Sequence, residues 1–190
     1  MLEAIDYLRR RGHTIRTDDS GVFVGISPQT ESQEVTLEDI EAINALNGVV
    51  ELRVIAFPGI GPEVFKRFRV FPKVRILAVH YGMPEESLRH FDKFPNVEIL
   101  RVWKDVRCDH LPPLPKLRVL DLETDEDELS TDCVRSIAAC RNLEEINIRY
   151  SRLSEGGAAL LKSLPRLRYL VADGEVLLET GGEPAPAAVD

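Results

Sequence analysis

Apolar residues recur along the chain in one short pattern, Φ-x-x-Φ-x-Φ, where Φ is Leu, Val, Ile or Ala. Six copies begin at Val49, Val74, Val97, Leu117, Leu143 and Leu167, with successive starts 25, 23, 20, 26 and 24 residues apart by subtraction. Alternation with a period of two predicts a short strand at each copy. The fourth and sixth positions, such as Leu52 with Val54 or Leu100 with Val102, face one side, and the third, fifth and seventh face the other. One strand of this kind cannot bury its apolar edge alone. Copies stacked side by side as a parallel sheet fuse those edges into a continuous core, so no copy is expected to be stable without its neighbours.

The segments between the strands favour helices on the opposite side. Pro62 opens a helix from Glu63 to Phe68, Pro84 opens one from Glu85 to Phe91, and Ser154 caps one from Glu155 to Leu164. A longer helix starts at Ser130 or Thr131 and runs to about Cys140. The shortest unit differs, because Pro112 and Pro113 within Val106 to Pro115 remove donors and enforce an extended segment. Unequal units predict uneven curvature. Residues 1–48 have the features of an N-terminal cap that includes one degenerate repeat. Leu2, Ile5 and Leu8 recur at helical spacing with acids early, Arg9 to Arg11 late and Gly12 as the stop. A weakly alternating strand, Gly21 to Ile26, follows, and Thr36 with Asp39 suggests a capping box for a helix from Leu37 to about Leu46. The six repeats then occupy 49–178, and 179–190, rich in Gly, Pro and Ala with little to bury, is expected to be disordered.

Four copies follow an apolar residue, a proline and a basic or amide residue: Phe71-Pro72-Lys73, Phe94-Pro95-Asn96, Leu114-Pro115-Lys116 and Leu164-Pro165-Arg166; the fifth copy has Cys140-Arg141-Asn142 instead. Over about residues 49 to 177 the chain resembles the leucine-rich-repeat family, whose units run about 20 to 29 residues with L-x-x-L-x-L at the strand. The resemblance implies an α/β solenoid, a right-handed superhelix with a parallel sheet on the concave face and short helices on the convex face. The family's asparagine at the ninth position is replaced by Phe57, Gly82, Asp105, Asp125, Ser151 and Glu175, so its asparagine ladder is not expected. The basic-x-Leu phrasing and mixed unit lengths resemble cytoplasmic bacterial members.

Composition narrows the partners. The 190 residues carry a formal charge of -8, which repels phosphate backbones and anionic lipid at long range unless a local basic patch intervenes. No run approaches the roughly 18 apolar residues of a membrane helix, and Glu3 and Asp6 stand where a signal peptide would be basic and then apolar. Cys108, Cys133 and Cys140 form no even framework, which fits a reducing cytoplasm. Neither nucleic acid nor membrane is expected as a partner. Cofactor and metal are not expected either. Cys108 and His110 lack further ligands at fixed spacing, the acidic run Asp125 to Glu128 lacks a calcium-loop pattern, and Cys133 with Cys140 fit buried apolar slots.

Aligning the copies predicts what lines the concave sheet. Fifth positions are Arg53, Ala78, Arg101, Asp121, Asn147 and Val171; seventh positions are Ile55, His80, Trp103, Glu123, Arg149 and Asp173; eighth positions add Tyr81, Lys104 and Tyr150. Aromatics and arginines dominate binding hot spots, so Arg53, His80, Tyr81, Arg101, Trp103, Lys104, Arg149 and Tyr150 are the candidate partner-binding residues. The plainer alternative is that these side chains only cover the sheet and pack on one another. His80 and Trp103 are expected to be neighbours, with no nucleophile or carboxylate arranged around the histidine for catalysis. The expected function is a non-enzymatic scaffold that binds a protein partner. The alternatives are a regulatory or substrate-recruiting subunit of an enzyme complex and an inert spacer. Exposed end strands leave the oligomeric state open.

Overall fold

A computed structural model of the chain describes residues 1–26, 35–55, 62–80, 85–103 and 108–180. Nine strands among these residues form one open sheet whose spatial order follows the chain. The six copies supply β3 (Val49–Ile55), β4 (Ile76–His80), β5 (Ile99–Trp103), β6 (Val119–Glu123), β7 (Glu145–Arg149) and β8 (Tyr169–Ala172), each parallel to the next. Their register sets Leu52, Leu77, Leu100, Leu120, Ile146 and Leu170 in one row, and Val54, Val79, Val102, Leu122, Ile148 and Ala172 in the next. Every one of these fourth- and sixth-position side chains is buried, in a core shared with the helices.

Antiparallel strands flank this parallel block at both ends. At the N-terminal side β1 (Thr14–Asp18) pairs antiparallel with β2 (Gly21–Ile26), which in turn lies parallel to β3. At the other side β9 (Glu175–Glu179) folds back on β8 through Asp173 and Gly174, with φ of 48° and 77°. Two consecutive left-handed residues make the tight turn whose twist matches paired strands, and Asp-Gly suits it. Neither β1 nor β9 was foreseen from the sequence. Glu179 therefore ends a strand, and residues 181–190 of the expected disordered tail lie outside the described residues.

Helix starts follow their caps. Helix α1 (Leu2–Arg10) stops where Gly12 takes a φ of 84°, and α2 (Leu37–Asn44) opens on the full Thr36–Asp39 capping box. Helices α3 (Pro62–Arg67), α4 (Thr131–Ala138) and α5 (Glu155–Lys162) arise where expected, the last two on the side-chain caps Ser130 and Ser154. Lys93 reaches back to the carbonyl oxygens of Lys66 and Phe68 at the end of α3, placing a cation where the helix dipole is negative. One expected helix is different in kind, because Glu85–Lys93 is a 3-10 helix and not an α-helix. Its buried side chains Leu88, Phe91 and Phe94 recur every third residue, the period of a 3-10 turn. Phe65, Phe68 and Phe71 repeat that spacing in the preceding unit, and the rings interlock, with Phe71 stacked on Phe94 at 5.9 Å.

A two-unit repeat is superposed on the one-unit repeat. The residues just before β4, β6 and β8 are Lys73-Val74-Arg75, Lys116-Leu117-Arg118 and Arg166-Leu167-Arg168, whereas those before β5 and β7 are Asn96-Val97-Glu98 and Asn142-Leu143-Glu144. The register makes these alternating triplets neighbours. Arg75 donates to Glu98 at 2.6 and 2.8 Å; Arg118 forks onto both oxygens of Glu144 at 2.9 Å, and Arg168 reaches Glu144 at 2.8 Å. The two asparagines donate to the carbonyls of Pro72 and Pro115, at 2.8 and 2.7 Å, so amides do tie unit to unit, just before the first apolar position of the pattern and not at its ninth.

Candidate interaction surface on the open sheet face

Fifth-position residues Arg53, Ala78, Arg101, Asp121, Asn147 and Val171 stand in register across β3 to β8, on the face opposite the buried rows. Asp121 is buried even though it sits on this face. Its carboxylate accepts from Asn147 Nδ2 at 3.2 Å and from Arg149 Nη2 at 3.3 Å. Burial pushes the Asp121 carboxyl above its usual range, against the opposing pull of the Arg149 and Arg101 guanidiniums and of the Trp103 indole. Desolvation outweighs attraction here because a buried carboxylate loses more hydration than two half-exposed cations return.

Trp103 and His80 are adjacent in register, as expected, and meet edge to face with ring centroids 3.8 Å apart. The indole Nε1 is buried and, although it faces Asp121, makes no hydrogen bond of normal geometry. Arg101, half-buried and in register with Asp121, forms no hydrogen bond or ion pair among the described residues. Arg149 shares its charge with Asp121. Tyr150, one residue beyond β7, is 67% exposed and holds a φ of 61°, an uncommon conformation for a side-chain-bearing residue.

The candidate residues do not all converge. Arg53 belongs to a second cluster nearer the N-terminus, paired with Glu51 at 2.7 Å and lying 5.5 Å from the ring centroid of Phe23, which Arg16 approaches at the same distance. Arg101, Trp103 and Arg149 gather around Asp121, His80 packs on Trp103, and Tyr150 is next to Arg149 in the chain. Tyr81 and Lys104 lie outside the described residues. Asp121 and Asn147 were visible in the fifth-position row, and their row neighbour Arg101 was the signal that a carboxylate there would be enclosed by cations. Phe23 carried no such signal because it precedes Val49, where the first full copy of the pattern begins.

No group of His, Cys, Asp and Glu among the described residues could hold a metal ion. The acidic run is tied to the next unit by its backbone: Arg152 N donates to Asp127 O and Leu129 N to Arg152 O, both at 3.0 Å. Cys108, Cys133 and Cys140 are buried free thiols. A hydrogen bond with Cys133 and burial push the Cys108 thiol well up, and burial raises that of Cys140. No helix among the described residues is long and apolar enough to cross a membrane. Comparisons with protein-family models, curated proteins and solved structures returned no match.

Proposed function

We propose that the chain is a leucine-rich-repeat solenoid that holds a protein partner against its concave sheet, without chemistry of its own. Six strands in unbroken parallel register, each followed in the next unit by the same apolar rows, support the repeat assignment. One observation supports the binding role: Arg101, which makes no hydrogen bond or ion pair among the described residues, and Trp103 stand half-buried on the open face beside the buried carboxylate of Asp121. A partner carboxylate or carbonyl laid over the Arg101 guanidinium would gain a charge-assisted hydrogen bond from it. Trp and Arg are also the residue types that most often anchor protein interfaces.

The test compares proteins retained from a native lysate by the wild-type chain with those retained by a Trp103→Ala, Tyr150→Ala variant. Truncating interface anchors typically costs about 2 kcal/mol each, so retention of the specific partner should fall at least about tenfold. Undiminished retention of every partner would refute the assignment of the concave face.

A further inference from the structure

The rim formed by the residues just before β4 to β8 has a charge opposite to that of the molecule as a whole. Its three basic triplets contribute six cations against Glu98 and Glu144, on a chain whose net charge is -8. The arginine of each basic triplet is committed to the glutamates between them. Lys73, Lys116 and Arg166, at the first position of each basic triplet, are exposed and make no hydrogen bond or ion pair among the described residues. Lys73 and Lys116 also line one shallow groove of about 390 Å³, with Asn96 and Glu98 of the intervening unit between them. The ladder thus consumes one set of cations and leaves a second set displayed in a row.

We propose that this rim docks an extended acidic segment of a partner protein, through Lys73, Lys116 and Arg166. Equivalent positions on neighbouring strands lie about 4.8 Å apart, so cations on every second strand recur at about 10 Å. In a polyproline II chain three residues make one full turn and rise about 9 Å, which returns every third side chain to the same face and matches a carboxylate at every third residue. Nucleic acid fits less well: the net negative charge repels a long polyanion, and the residues lining the groove include no aromatic ring on which a base could stack. The rim is a separate surface from the Trp103 face, so either assignment can fail alone.

The probe is a fluorescent peptide of six Glu-Gly-Gly units, followed by anisotropy with the full chain. The wild type should bind it, and raising salt from about 20 mM to about 200 mM should weaken binding at least about tenfold. A Lys73→Glu, Lys116→Glu, Arg166→Glu variant, shown by its circular dichroism and melting curve to be folded, should bind at least about tenfold more weakly, because like charges then face the peptide. A peptide with six glutamates at every second residue should bind several-fold more weakly than the probe, and the Trp103→Ala, Tyr150→Ala variant should bind the probe as the wild type does. Equal binding by the charge-reversed variant, or no binding by the wild type at low salt, would overturn the proposal. So would tighter binding of a single-stranded oligonucleotide than of the peptide, which would assign the rim to nucleic acid instead.

Discussion

Asp39 is fully buried and accepts from the Thr36 amide at 2.8 Å and from both Nε and Nη2 of Arg11 at 3.0 Å. Burial alone would raise its pKa; the Arg11 and Thr36 hydrogen bonds and the neighbouring His13 overcome that and hold it at about 2. An unfolded aspartate titrates near about 3.9. A depressed folded-state value stabilises the protein above the unfolded one, so this contribution, about 2 to 3 kcal/mol, is complete above about pH 5 and drains away as pH falls through 4 toward 2. Asp39→Asn is therefore expected to cost about 3 kcal/mol at pH 7, since it also removes the charge that faces Arg11, and to flatten the acid limb of stability between pH 4 and 2. Urea unfolding at a series of pH values checks both. The Thr36–Asp39 spacing made the cap legible in the sequence. Arg11 as the third member was not, because 28 residues separate it from Asp39 and no local pattern links them. Asp121 shows the same limit: its place in the row was legible, but its burial depends on how far Arg101, Trp103 and Arg149 lean across the strands.

At the scale of elements, periodicity decided what could be foreseen. Period two located β3 to β8 and their register, and cap residues located α2, α4 and α5. Period three in Leu88, Phe91 and Phe94 is present in the sequence, but residues three apart also share a face of an α-helix, so the spacing does not separate the two pitches. Phe94 is fully buried, with its ring centroid 5.9 to 6.2 Å from those of Phe68, Phe71 and Phe91. Phe94→Ala should accordingly cost about 3 to 5 kcal/mol, seen as a lower midpoint in denaturant, because the neighbouring rings belong to two units and cannot collapse into the gap together. A loss below about 1 kcal/mol would show that the cluster repacks. The strands β1 and β9 escaped notice for a different reason. Each has few apolar side chains turned to the core, with Ile15 buried in β1 and Leu177 and Leu178 only half-buried in β9, so neither produces alternation strong enough to see.

For the molecule as a whole, β9 acts as a lid on the last parallel strand. A stack of mutually dependent units exposes apolar surface at each end unless something covers it, and a bare strand edge invites pairing with another chain. Ending the chain at Ala172 should lower stability by about 2 kcal/mol, through lost cover from Leu177 and Leu178, and should introduce concentration-dependent self-association in sedimentation. A truncated chain as stable and as monodisperse as the full one would show that β8 needs no cover.

The alternation of basic and amide-acid triplets has a further consequence for how this molecule could change its length. Excising one unit, for example the one that carries Glu98, would bring Arg75 against Arg118 and leave the Pro72 carbonyl without its amide. Excising two consecutive units would restore every opposite pair across the join. On the proposed repeat reading the smallest block that keeps these charges matched is a doublet, so a longer or shorter chain built this way would gain or lose strands two at a time.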